Sequence, residues 1–187
     1  MSETMGVVIL AAGEGKRLKL DCPKPLAPCG GLKLVDYSIR ESHHFIKNIG
    51  LHGKVTAVIG HAREKVESYI KASYSGNSHM PVAFAIQEKQ LGTADALKSY
   101  FNADKNNQEF TFTVVLCADN PVIRSEDLKC LYDEMLAQKW DAIAATIEEL
   151  TPKGYGRIVR SIKGFHIVEE KDASEIERKI TEVNSGV

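Results

Sequence analysis

The chain has 187 residues, 43% hydrophobic and 26% charged, which is apolar material for one globular core and about one domain in length. A formal net charge of -1 leaves no overall field to attract a polyanion, so nucleic acid is excluded as a general partner and any anion must be recognised locally. Cys22, Cys29, Cys117 and Cys130 lack Cys-x-x-Cys spacing, and no apolar run approaches the ~20 residues that span a bilayer. A cytoplasmic protein with no membrane partner is expected, folded as one domain over 1–187.

The first element is a hydrophobic run from Gly6 to Ala12 that breaks at Gly13 and Gly15. Lys16, Arg17, Lys19 and Lys24 follow closely, and Lys24 is held between Pro23 and Pro25. A buried strand that delivers a glycine-rich, basic loop is suited to phosphate: glycines let backbone N–H groups approach the oxygens, and Arg17 offers a planar fork of donors. The third glycine of a dinucleotide fingerprint and the Gly-Lys-Ser/Thr of a P-loop are both missing. Without further support, the loop is equally well read as a tight strand-to-loop connection, and Lys24 as a solvated lysine.

Further short runs rich in Val, Ile and Phe read as strands at Lys54–Gly60, Pro81–Gln87, Thr111–Ala118 and Asp141–Glu148. Helical spacing lies between them: Val35, Ile39, Ile46 and Ile49; Ala62, Val66 and Ile70; Ala94, Leu97 and Phe101; Leu128, Leu131, Met135 and Leu136. Ser125 is the predicted N-cap of the last helix, with Glu126 and Asp127 in its first turn. Four alternations of strand and helix predict an α/β fold, a Rossmann-like open, mainly parallel sheet with helices on both faces. After Thr151 the pattern becomes a C-terminal β-hairpin appendage, with strands at Gly156–Arg160 and Phe165–Glu169 turning at Lys163-Gly164. Val183–Val187 reads as the start of another strand, so the chain is expected to be a truncated domain.

The stretches LAAGEGKRL, PKPL, QEKQLGTADAL, CADNP, GYGRI and VEEKDAS…EVNSG occur in this order from residue 6 to the end. Together they resemble the sugar-1-phosphate nucleotidyltransferases, and in particular the uridyltransferase domain of the bacterial bifunctional enzymes that make UDP-N-acetylglucosamine. The resemblance implies a nucleotide-diphospho-sugar transferase fold, UTP and N-acetylglucosamine-1-phosphate as substrates, Mg²⁺ as cofactor and, for this chain, a monomer. It also implies that Ala11, Ala12 and Gly13 approach the nucleotide, that Arg17 and Lys24 hold phosphates at the reacting centre, and that Gln87, Gly92 and Thr93 bind the nucleotide. Gln87 would read the uracil edge, Asp119 would hold the metal, and Gly156, Glu169 and Asn184 would line the sugar pocket.

Each of these residues also has an ordinary structural reading: Gln87 as a polar strand end, Thr93 as a helix N-cap, Asp119 in an Asp-Asn-Pro turn, Asn184 in a turn. Glu14, Lys16, Cys117-Ala118 and Asp95 depart from the family pattern, in which many relatives carry histidine at the position of Asp95. No β-helix acetyltransferase half and no position for the family's later metal-binding asparagine occur in these residues. Transfer of another nucleotide or to another sugar-1-phosphate, and a non-catalytic sugar-nucleotide binding module, remain as alternatives.

Overall fold

Strand β1 (Thr4–Ala11) hydrogen-bonds on both sides: to β4 (His52–Ile59) from Thr4↔His52 to Ala11↔Ile59, and to β6 (Phe112–Cys117) from Met5↔Phe112 to Leu10↔Cys117, both parallel. β5 (Val82–Ile86) adds beyond β4, giving the order β5-β4-β1-β6. These belong to a computed structural model, which describes residues 3–15, 21–74, 80–162 and 164–186. It divides into two compact units, Met1–Cys130 and Leu131–Val187.

A strand paired on both edges and covered on both faces must be apolar at successive positions, and Met5, Val7, Val8 and Ile9 are fully buried. Even-numbered side chains of β1 meet α3 (Thr93–Ala103): Val8 and Ala12 share a core with Val58, Ala85, Ala96 and Tyr100. The other face takes α1 (Leu34–Ile49), since a Cβ at Gly53, paired with Met5, would strike Ile46. α2 (Arg63–Tyr74) lies on that same face, tied to α1 where the buried Asp36 carboxylate accepts from Tyr69 Oη at 2.7 Å and Tyr74 Oη at 2.8 Å. Burial and the Asp36 charge both push the Tyr74 hydroxyl's pKa up, so it remains a donor. The chain thus travels outward from β1 to β5 with its helices on one face and returns to β6 with α3 on the other, three parallel crossovers of the kind the right-handed rule governs.

This confirms the predicted parallel α/β sheet with helices on both faces. One predicted strand is corrected: of Asp141–Glu148 only Thr146–Glu148 (β7) is extended in a ladder, and it pairs antiparallel with β10 (Glu182–Asn184) in the second unit. An apolar run carries no mark of the sheet it will join. β8 (Arg157–Ser161) and β9 (Gly164–Val168) form the predicted hairpin, completing an antiparallel sheet in the order β7-β10-β8-β9. A short hairpin of β2 (Pro28–Cys29) and β3 (Leu32–Lys33), which sequence patterning misses, leads into α1.

The expected Ser125 cap is displaced by one residue. α4 (Ser125–Gln138) starts at Ser125 itself, and Asp127 accepts from Arg124 N at 3.0 Å. Among the described residues no helix is long and apolar enough to cross a membrane.

Ala62, at the entry to α2, has φ 51°, in the left-handed region that costs a Cβ-bearing residue roughly 1–2 kcal/mol. Its carbonyl accepts from Lys65 N at 3.0 Å and Val66 N at 3.3 Å, bonds that glycine keeps. Ala62→Gly is therefore expected to raise unfolding stability by about 1 kcal/mol in urea titration.

Candidate active site

Open parallel sheets bind ligands beyond the carboxyl ends of their strands where the chain order reverses, which here is between β4 and β6, on either side of β1. The site begins with the loop that leaves β1. Gly15 has φ 66°, and a Cβ there would lie 2.6 Å from Lys24 Cβ, so only glycine allows the loop to close over this lysine. A Cβ at Gly13 would meet no atom of the described residues within 4 Å, so the backbone there is open to a ligand.

Lys24 opens a short 3-10 turn, Lys24–Leu26, with Pro23 before it and Pro25 within it. Two fixed φ angles and the contact with Gly15 set the stem of the side chain, and its Nζ forms an ion pair with Asp119 Oδ2. Asp119 is exposed two residues beyond β6, where Ala118 N still bonds to Leu10 O at 3.1 Å. On the other side His61 N bonds to Ala12 O at 3.1 Å. Both continuations of the ladder hold the end of β1 in place.

A cleft of about 590 Å³ opens here, lined by Leu10, Ala12, Gly13, Glu14, Gly15, Lys24, Gln87, Gln90, Gly92, Thr93, Ala96 and Cys117. Six of the predicted residues therefore meet in one cavity: Ala12, Gly13, Lys24, Gln87, Gly92 and Thr93. Asp119 joins them through Lys24. Ala11 is buried at the end of β1 and does not line the cleft. Arg17 lies outside the described residues.

Gln87 is 3% exposed, and its Nε2 donates to Asp95 Oδ2 at 2.8 Å and to Gly92 O at 3.2 Å. Gly92, at φ 114°, is the N-cap of α3, so Thr93 is the first helical residue and not the cap. Cys117 was not singled out as a site residue, yet it lines the cleft; burial first, then the Asp119 charge, pushes its thiol up to about 11. It stays protonated at neutral pH and supplies no nucleophile. Gln90 was also missed; its Nε2 reaches Gln87 O at 3.4 Å and only the fold of the 88–92 turn brings it there.

In the second unit the three predicted sugar residues are neighbours. A Cβ on buried Gly156 would lie 2.7 Å from Ile167 and 3.7 Å from Glu169 Oε1, while Asn184 N donates to Gly156 O at 2.9 Å. Asn184 Oδ1 accepts from Gly186 N at 3.1 Å, the turn role that its sequence also suggested. Arg157 organises this region: 2% exposed, its guanidinium donates to Tyr155 O, to Glu170 Oε2 at 2.7 Å and to Arg178 O at 3.4 Å, joining three loops. Ser174 and Glu177, at Ser-x-x-Glu spacing, form a capping box, with Ser174 N donating to Glu177 Oε2 at 2.8 Å and Glu177 N to Ser174 Oγ at 3.3 Å.

Residues 6–179 match the family described as nucleotidyl transferase. The chain is 36% identical over 185 residues to the bifunctional protein GlmU of Geotalea uraniireducens and, equally, to that of Burkholderia thailandensis; the match covers 98% of this chain but only 38% and 37% of those proteins. The chain thus spans under two fifths of the length of these relatives. Among solved structures, a UDP-glucose pyrophosphorylase complexed with UDP-glucose is similar with a TM-score of 0.66 at 17% identity, over 100% of this chain and 75% of that one. A putative glucose-1-phosphate thymidylyltransferase from Bacillus anthracis has a TM-score of 0.62 at 20% identity, over 97% and 69%. These distant structures establish the same fold.

Arg157 is buried while its partner Glu170 is about a third exposed, and lysine, which keeps the charge, cannot reproduce a fork that serves three segments. Arg157→Lys is expected to destabilise the second unit by about 1–2 kcal/mol in chemical denaturation, the cost of leaving one buried acceptor unpaired. The Arg157 guanidinium and the Gly154 N–H hold the Glu170 carboxyl below the ordinary value of 4.5. The corresponding stability is present above that pH and is lost as pH falls through the lower folded value, so Glu170→Gln should flatten the acid limb of a stability–pH curve below 4.5.

Proposed function

Because the chain belongs to the nucleotidyl transferase family, whose pattern it matches over residues 6–179, we propose that it forms UDP-N-acetylglucosamine and pyrophosphate from UTP and N-acetylglucosamine-1-phosphate. The observation that carries this reading is the meeting of Lys24 with Asp119 at the mouth of a glycine-lined cleft. A binding module needs neither a constrained lysine nor an acid at the place where phosphates would sit. Similarity to the GlmU proteins supports the choice of nucleotide and sugar.

In this reaction an anionic oxygen of the sugar phosphate attacks the α-phosphorus of UTP, a new P–O bond forms, and the bond to the bridging oxygen breaks as pyrophosphate leaves in line. The nucleophile is already ionised, so no protein base is required. That accords with a cleft whose one thiol, Cys117, is held protonated. The protein's task is to align two phosphates and offset charge that builds at the pentacoordinate centre. Lys24 does this with a head group whose stem is fixed by Pro23, Pro25 and Gly15. Backbone N–H groups of 13–15 and, on the resemblance, Arg17 would share the triphosphate.

Asp119 is suited to Mg²⁺. Its carboxylate is exposed and already faces a cation, while among the described residues no group of three or more His, Cys, Asp or Glu could form a cage. One carboxylate is enough for a hard ion that takes its other ligands from phosphates and water. When bound, Mg²⁺ would supply charge neutralisation for the phosphates. The base is assigned to Gln87, Gly92 and Thr93, and the sugar to Gly156, Glu169 and Asn184, which gather on the antiparallel sheet of the second unit.

The test is pyrophosphate release with UTP and N-acetylglucosamine-1-phosphate, against glucose-1-phosphate, dTTP and GTP. Dependence on both proposed substrates is expected, and a preference for another pair would reassign the specificity while keeping the reaction. Lys24→Ala should lower the rate about a hundredfold, since one charged contact at the reacting centre contributes ~3 kcal/mol. Its melting temperature should move by no more than a few degrees; a large fall would make Lys24 a structural residue.

A further inference from the structure

A glutamine side chain has two N–H donors and one carbonyl acceptor, and which end meets a ligand depends on its neighbours. In Gln87 both donors are committed: Nε2 bonds to Asp95 Oδ2 at 2.8 Å and to Gly92 O at 3.2 Å. A backbone carbonyl only accepts, and so does a carboxylate. Turning the amide over would set Oε1 against both of them, so a single orientation is possible. Gln87 N is also used, donating to Ile59 O at 2.8 Å, and Gln87 O accepts from Gln90. Among the described residues Oε1 alone has no donor.

We propose that Asp95 is a positioning residue that locks the Gln87 carboxamide with its oxygen free, so that the cleft recognises a base by an N–H it donates, the imide N3–H of a uracil or thymine ring. The inference rests on the placement of the base at Gln87 proposed above. Asp95 itself need touch no ligand; it acts from the first turn of α3, whose N-cap residue, Gly92, carries the second acceptor. The residue is held where the helix begins, and Ser99 Oγ bonds to Asp95 O at 3.0 Å along the same helix. An acceptor-only reader has a definite consequence. This carboxamide cannot pair with the O4 carbonyl of uracil, which leaves O4 to other donors at the Gly92 and Thr93 side of the cleft, and Asp95 has no part in reading it.

The experiment measures dissociation constants by calorimetry on the full chain for UTP, 3-methyl-UTP, which lacks N3–H, 4-thio-UTP, whose position 4 accepts poorly, and inorganic tripolyphosphate. Losing the N3–H leaves a buried acceptor unpaired, so 3-methyl-UTP is expected to bind at least tenfold more weakly than UTP, while any 4-thio-UTP penalty is the same in the native chain and in Asp95→Ala. Asp95→Ala should weaken UTP about tenfold and leave 3-methyl-UTP unchanged. Asp95→Asn, whose Oδ1 can still accept from Gln87, should restore the native difference, which a loss caused by disordering α3 would not allow. A 4-thio-UTP penalty that disappears in Asp95→Ala, or Asp95→Ala binding UTP and 3-methyl-UTP as the native chain does, overturns the role of Asp95 while leaving base recognition standing. Tripolyphosphate binding as tightly as UTP overturns the placement of the base itself, and the inference with it.

Discussion

β1 is hydrogen-bonded on both edges and packed on both faces, and the rest of the first unit follows from that. A strand in this position cannot carry a polar side chain in its interior, so its run of Met5, Gly6, Val7, Val8 and Ile9 is unbroken. Nor can it end inside the sheet. Its last carbonyls are taken up by His61 N and Ala118 N from the two flanking connections, and the chain then leaves as glycine-rich loop in the crevice between them. The cleft is thus a by-product of sheet topology, open where β4 and β6 diverge from β1.

What turns the crevice into chemistry is the way rigid backbone restrains a few side chains. Lys24 would ordinarily be a flexible surface residue with much rotamer entropy to lose. Proline on either side and a glycine pressed against its Cβ remove part of that freedom before any ligand arrives. Gln87 is restrained differently, by hydrogen bonds instead of covalent geometry, and the acceptors that hold it both belong to the start of α3. On the proposed function, phosphates would meet a fixed cation and a base a fixed amide. In the second unit Arg157 plays the comparable part, one buried guanidinium drawing together the loops around Gly156 and Glu169.

Much of this was legible in the linear chain because it depends on local rules. The parallel strands announced themselves as short β-branched runs, α1 to α4 as 3.6-residue spacing, and the β8–β9 hairpin by its change of pattern after Thr151. Ala12, Gly13, Lys24, Gln87, Gly92 and Thr93 were found from motifs and do converge on one cleft. The misses also have causes. β7 was expected to continue the parallel sheet, but strand character does not say which edge a strand will pair with, and Glu148, Ile147 and Thr146 found their partners at Glu182, Val183 and Asn184. β2 and β3 are two residues each, too short for any periodicity to register.

Sequence by itself determined the alternation of elements, the buried strand that must end at Gly13, the proline-held lysine and the family to which these motifs belong, because each is set by neighbours within a few residues. Tertiary structure alone decided that Lys24 meets Asp119 across 95 positions, that Gly15 is needed for its contact with Lys24, and that Asp95 takes hold of Gln87. Those pairings come from parallel strands whose partners lie a whole crossover apart, and from a turn whose path sequence spacing does not express. Hydrogen bonds and steric contacts act over a few ångströms of space, whatever the distance along the chain.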